Sequence, residues 1–228
     1  MARLLVHVAG ATEETFVNEL LAPHLYQFGY TRVAARLMGN ARIRDRRGGI
    51  RGWDSVCKDV VGHLREDAGC RATTMVDYYG LPRTGCRAWP GRDAAANLPF
   101  GEKALVVEAS LSADIFARMG NGFAPRRFVP YVMMHEFEAL LFSDCDRFGE
   151  GIGRTDLSPS FRAIRASFGS PEEINDSPAT APSKRVEGLV PGYQKPHLGV
   201  LAALHIGLET IRAECPHFRG WLEKLEAV

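Results

Sequence analysis

Short apolar runs that alternate with helix-length amphipathic segments constrain this chain more than any other feature of its sequence. Residues 4–8 read as a strand closed by Ala9-Gly10, and Thr12 then stands in the position of a helix N-cap. From there Phe16, Leu20, Leu21 and Leu25 recur at helical spacing, predicting a helix to about Phe28, which Gly29 stops. Residues 31–37 form a second strand, and Trp53, Val56, Val60, Val61 and Leu64 mark the next helix. Thr73-Thr-Met-Val76 is rich in β-branched residues and delivers Asp77 to the end of a third strand. The polar stretch holding Pro82, Pro90 and Pro99 is a lid or a long excursion. A helix over 102–119 leads to a fourth strand at 128–133, where Pro130 requires an edge position or a bulge. Strands alternating with helices predict an α/β fold, with a mostly parallel sheet of four or more strands and helices on both faces.

Beyond Gly149 the pattern turns helical, with segments at 157–168, 183–189, 197–213 and 218–225 and a turn at 171–174. The expected organisation is an α/β unit over 1–149 and a helical extension over 150–228 packed on it. A length of 228 residues suits one shared core better than two. With 46% hydrophobic and 24% charged residues the chain is neither disordered nor fibrous. No apolar run approaches the roughly 18 residues of a membrane span, and the N-terminus reads as a strand instead of a signal peptide. Cys57, Cys70, Cys86, Cys145 and Cys215 are widely spaced and lack a C-x-x-C pair, so free thiols in a reducing cytoplasm are expected.

Ligand-binding groups of an open parallel sheet collect beyond the carboxyl ends of its strands. Here those ends carry Glu13 after the first strand, Asp77 after the third, and His135-Glu136-Phe-Glu138 after the fourth. Glu136 and Glu138 are two apart on an incipient helix, about 200° around its axis, so one of them faces the site; Glu136 is the first choice and Glu138 the substitute. Carboxylates gathered in this way repel one another and invite a divalent cation, Mg²⁺ or Mn²⁺. Beside a phosphodiester such an ion activates water and neutralises the leaving oxygen, which points to nucleic acid or a nucleotide as substrate. The competing reading of Glu13 is a first-turn acid favoured by the helix dipole. A zinc-protease helix is excluded, because Ala139 stands where the second histidine is required, and His135 reads as a packing residue.

The formal net charge of +1 hides a local concentration of arginines. Arg36, Arg42, Arg44, Arg46, Arg47 and Arg51 are interrupted by glycines and by Asp45 alone among acids, a composition that suits either a phosphate-contacting loop or a solvated one. Farther on, Lys184, Arg185 and Lys195 could hold phosphates, or one lysine could stabilise a phosphoryl-transfer transition state. Glu173 and Asp176 read as turn residues.

At these residues the chain resembles a known family. The runs V-x-G-x-T-E-E-T-F, T-T-M-V-D-Y-Y-G-L-P, H-E-F-E-A-L-L-F-S-D, S-P-E-E-I-N-D, A-P-S-K-R and P-G-Y-Q-K, in that order over nearly the whole length, resemble the bacterial family catalogued as domain of unknown function 4276. The resemblance implies a relationship to the Toprim domain of topoisomerases, primases and overcoming-lysogenisation-defect nucleases, in which a glutamate after the first strand and aspartates after a later one bind Mg²⁺. It also implies phage defence beside an ATPase encoded nearby. Carried over, Glu13 matches the second acid of the first motif, Asp77 the first aspartate of the later motif, and Lys195 a nuclease lysine. Ala9 departs from the pattern, standing where a glutamate precedes the glycine, and Tyr79 stands where a D-x-D would place its second aspartate. The expectation is therefore a Mg²⁺-dependent Toprim-like nuclease acting on DNA or RNA, weakened at Ala9. The alternatives are a non-catalytic module that binds nucleic acid or a partner, and a nucleotide-binding regulator of an ATPase.

Overall fold

The computed structural model describes residues 2–38, 49–174 and 180–227. It is an α/β fold built on a five-stranded sheet in the order β2-β1-β3-β4, with β5 also pairing β3, and every strand pair is parallel.

Strand β1 (Ala2–Val8) turns Leu4, Val6 and Val8 into one core and Leu5 and His7 toward the other face, as a period of two requires. Helix α1 (Ala11–Phe16) starts from extended Gly10, which has no side chain to cap it; Thr12, expected to cap it, lies buried inside the first turn. The helical path widens at Val17–Leu21, continues through α2 (Ala22–Leu25) and a tight turn at Tyr26–Phe28, and ends at Gly29, whose φ of 87° suits glycine. The widening has a cause in Pro23, which has no N–H to donate and whose ring crowds the carbonyl of Glu19.

Strand β2 (Tyr30–Leu37) lies at one edge, and α3 (Trp53–Glu66) buries Trp53, Val56, Val60 and Leu64 against the opposite face of the sheet from α1. Strand β3 (Cys70–Asp77) is central. The proline-rich segment after it is a packed excursion. Trp89 is 2% exposed and its ring lies 5.0 Å from that of Trp53. Arg92 donates to the carbonyl and hydroxyl oxygens of Tyr78 at 3.0 and 3.1 Å, with its guanidinium over the Tyr78 ring. Helix α4 (Phe100–Met119) then packs beside α3 in the same core.

The fourth expected strand is two short ones, β4 (Phe128–Val129) and β5 (Val132–Met133), interrupted at Pro130-Tyr131. Pro130 cannot donate to a ladder, and the side chain of Thr74 bridges the interruption, accepting from the Tyr131 N–H at 3.0 Å and donating to its carbonyl at 3.1 Å. At the same edge the Glu108 carboxylate accepts the Val132 N–H at 2.8 Å.

Helices α5 (Phe137–Leu140), α6 (Cys145–Gly151), α7 (Ser158–Arg165), α8 (Pro182–Leu189), α9 (Val200–Ile206), α10 (Leu208–Glu214) and α11 (Pro216–Glu226) complete the order. The sequence reading omitted α6, although Asp144 caps it by accepting the N–H groups of Asp146 and Arg147 at 3.1 and 3.0 Å. The helix expected over 197–213 breaks at Gly207, where φ is 84°. The C-terminal helices share the core on the α1 face of the sheet. The Trp221 indole donates to Thr73 Oγ1 at 2.9 Å and stacks on Tyr131 at 4.5 Å, while the Tyr30 hydroxyl donates to the Leu225 carbonyl at 2.9 Å. All five cysteines are free, four of them buried. Among the described residues no helix is long and apolar enough to cross a membrane.

Candidate active site

The chain leaves β1 for β2 on one side, and β3 pairs with β1 on the other, so the connections after β1 and β3 diverge and open a crevice at their carboxyl ends. Five ionisable side chains converge there. Asp77 is the last residue of β3, Glu13 lies in the first turn of α1, Glu136 precedes α5, Glu138 lies in its first turn, and Lys195 opens the helical turn Lys195–Gly199.

Backbone amides fix the carboxylates. Asp77 Oδ1 accepts the N–H of Phe137 at 3.1 Å, and Glu136 Oε2 accepts that of Ser183 at 3.0 Å. The Glu13 carboxylate folds back on the amides of Glu13 and Gly10, an approach that a glycine eases, since a methyl group on Gly10 would sit 3.1 Å from Glu13 Oε2. Lys195 Nζ lies 3.6 Å from Glu138 Oε2.

The site gathers more negative charge than its single lysine balances. Burial, then Glu13, Glu138 and Glu136, push the Asp77 carboxyl well above the usual carboxylate range against the pull of Lys195. Glu138 is raised to about 7, by burial first and by Glu136 and Glu13 after it, with Lys195 opposing. Burial also raises Glu13, although its amide bonds and Lys195 work the other way. Burial disfavours the Lys195 ammonium, but the fields of Glu138, Glu136, Asp77 and Glu187 outweigh that and raise its pKa. Among the described residues, no three of histidine, cysteine, aspartate and glutamate stand close enough to hold a metal ion between them.

The structure brings Glu13, Asp77, Glu136, Glu138 and Lys195 together, and it corrects the expectation that only one of the two glutamates faces the site. Glu136 is still in extended conformation, with φ −146° and ψ 161°, so helical geometry does not relate it to Glu138 and both face Asp77. Glu138 is 2% exposed and paired with Lys195, whereas Glu136 is engaged by Ser183. Tyr193 was missed, and only its place in the P-G-Y-Q-K run hinted at it. Its hydroxyl is buried without a hydrogen-bond partner, and burial followed by the charges of Glu138 and Glu187 raises its pKa. A methyl group on Gly199 would come within 3.1 Å of that hydroxyl.

The remaining expected site residues lie elsewhere or have local partners. Lys184 pairs with Glu187 at 2.7 Å, and Arg185 donates to the Thr180 carbonyl at 2.9 Å while its guanidinium lies over Phe168. Arg51 reaches Asp59 at 3.5 Å. Glu173 accepts the Gly169 N–H at 3.2 Å. Arg42, Arg44, Arg46, Arg47 and Asp176 lie outside the described residues. Ala9 follows β1, and its carbonyl accepts the Gly49 N–H at 2.8 Å. Tyr79 stacks on His135 at 5.1 Å, and His135 packs as expected, its pKa lowered to about 4 by burial, Lys103 and Arg92.

One consequence concerns pH. A carboxyl raised on folding binds more protons in the folded chain than in the unfolded one between its ordinary value of 4.5 and about 7, so stability falls as pH rises through that window. Glu138→Gln removes this penalty. In EDTA the variant is expected to be more stable than the parent by about 1–3 kcal/mol at pH 8, with the difference gone below pH 4.5. Thermal unfolding from pH 4 to 8 measures it, and a variant less stable than the parent at pH 8 contradicts this account of Glu138.

No curated protein and no solved structure matches the chain. A family profile matches residues 8–226, from the last residue of β1 to the last turn of α11, and so spans β2 to β5, the crevice and all five of its ionisable residues. The chain belongs to the family described as Domain of unknown function (DUF4276).

Proposed function

We propose that this chain is a Mg²⁺- or Mn²⁺-dependent, Toprim-like nuclease that cleaves DNA or RNA phosphodiesters, and that it serves phage defence beside an ATPase. The observation that carries the reading is Asp77 at the end of the central strand, ringed by Glu13, Glu138 and Glu136 with Lys195 as the opposing cation. A site of this kind is electrostatically costly for the free protein, and a dication together with a phosphate relieves the cost.

The donor set fits Mg²⁺ in one form. Carboxylate oxygens are the hard ligands it prefers, and Asp77 Oδ2 and Glu136 Oε1 are left over from the amide contacts. Because no trio of acids stands at coordinating spacing among the described residues, the fit is to an ion held by one or two carboxylates drawn from Asp77, Glu13, Glu136 and Glu138, with waters completing the shell. When bound, such an ion lowers the pKa of a water and neutralises phosphate charge. Glu138, with its pKa near neutrality, is suited to take the proton of the attacking water or return one to the leaving oxygen. Lys195 is placed to neutralise charge on the phosphoryl oxygens.

The second reading, a non-catalytic nucleic-acid or partner module, is favoured by the amide contacts of Glu13, Asp77 and Glu136, each of which is also a structural role. Cleavage of labelled plasmid, single-stranded DNA and tRNA separates the two. Products in Mg²⁺ or Mn²⁺ that EDTA suppresses support the nuclease; salt-sensitive binding indifferent to EDTA, without cleavage in either metal, supports the module.

A further inference from the structure

The α3 side of the sheet holds a second polar cavity that the carboxylate site does not use. Parallel register sets Arg3, Leu5 and His7 of β1 beside Arg32, Ala34 and Arg36 of the edge strand β2. A cavity of about 120 Å³ opens here, with Arg3, Arg32, Arg36 and His63 in its walls beside Glu66 and Asp67. Arg3 is occupied by Asp67. Arg32 and Arg36 are exposed and make no hydrogen bond or ion pair with any described residue. Next to them the rings of His7 and His63 lie 5.6 Å apart, and His7 Nε2 and His63 Nδ1 are buried without a hydrogen-bond partner. His7 is 3% exposed, so bulk water does not compensate it, and an unpartnered buried polar atom is destabilising.

Arg32 and Arg36, whose guanidinium groups have no partner among the described residues, line a donor-rich recess together with His63, and His7 is the register partner of Arg36 beside it. Guanidinium forks match tetrahedral oxyanions in bidentate geometry, and a ligand with several acceptor oxygens can serve both arginines at once. The mutual presence of His63 and Arg36 already depresses the His7 pKa, to about 3 after the larger effect of burial, and an anion here reverses that unfavourable field.

We propose that this cavity binds a phosphoryl group, seated by Arg32 and Arg36 beside the His7–His63 pair. The phosphate belongs to a nucleic-acid backbone or to a free phosphate compound. The backbone source rests on the proposed nuclease function, and Arg36, one residue before the end of β2, lies on the crevice end of the sheet, as a strand continuing past Glu13 and Asp77 requires.

The test compares the full chain, its Arg32→Gln/Arg36→Gln variant and its Asp77→Asn variant against inorganic phosphate, a 5′-mononucleotide and a labelled single-stranded oligonucleotide. Both arginines are exposed, so the double variant is expected to unfold at the parent's temperature without ligand. The expected result is a phosphate-induced thermal shift in the parent and in Asp77→Asn that the double variant loses. Its oligonucleotide affinity is expected to fall about tenfold or more, with the salt slope smaller by roughly 1.4 for two lost phosphate contacts. Loss of the phosphate and mononucleotide responses with unaltered oligonucleotide binding supports the site and gives it to a free phosphate compound. Equal responses of parent and double variant to all three probes overturn the proposal. Absence of cleavage by every version, with these binding losses intact, defeats the nuclease reading and leaves the phosphate site standing.

Discussion

Asp77→Asn is expected to reduce metal-dependent cleavage by a hundred- to a thousandfold, the range in which removal of one charge-stabilising group acts, while making the metal-free protein more stable at pH 8. The two effects have one origin. Asparagine keeps the carbonyl oxygen that accepts the Phe137 N–H, so α5 stays docked to the end of β3. It removes the charge that Glu13, Glu138 and Glu136 oppose. The sign follows from linkage: a carboxyl raised on folding destabilises the folded chain at every pH above its unfolded value, increasingly until the folded value is passed. Thermal unfolding in EDTA reads the gain, and a Mg²⁺-induced rise in Tm is expected in the parent and not in the variant. A loss of stability together with activity makes Asp77 a structural anchor only.

Ala9→Glu is expected to raise cleavage at least tenfold over the parent. The position follows β1 and lies four residues before Glu13, at the crevice that Asp77 closes from β3. In the Toprim-like nuclease proposed above, this position would carry the glutamate nearest the chemistry. A further carboxylate adds to a site that already lacks countercharge, so the variant is expected to be less stable than the parent in EDTA and to recover in Mg²⁺. A variant whose Tm falls without recovery in Mg²⁺, and whose cleavage stays at the parent's level, makes alanine the residue this packing requires.

The sheet was legible in the sequence because its strands carry the signal most directly, in β-branched runs closed by glycine or an acid, and because Pro130 announced an edge. The acids were legible for a topological reason, since strand ends of a parallel sheet converge. That Glu136 and Glu138 both reach the site was not, because it depends on where α5 begins, and Glu136 is still extended. Thr12 was misplaced as a cap for the same reason, one turn being enough to move a residue from rim to interior. The break at Gly207 and the widened turn before Pro23 were marked by glycine and proline, but their consequences follow from packing. The His7–His63 pair carries no motif, and Tyr193 only its place in the P-G-Y-Q-K run. Their burial and missing partners come from long-range contacts that no local pattern encodes.

The most direct test of the nuclease reading is cleavage of labelled single-stranded DNA and tRNA in Mg²⁺ and Mn²⁺ by the parent, by Ala9→Glu and by Ala9→Glu/Asp77→Asn. The reading predicts products from Ala9→Glu that EDTA and the Asp77 substitution each abolish. Products from Ala9→Glu that persist without Asp77, or none from any version in either metal, contradict it.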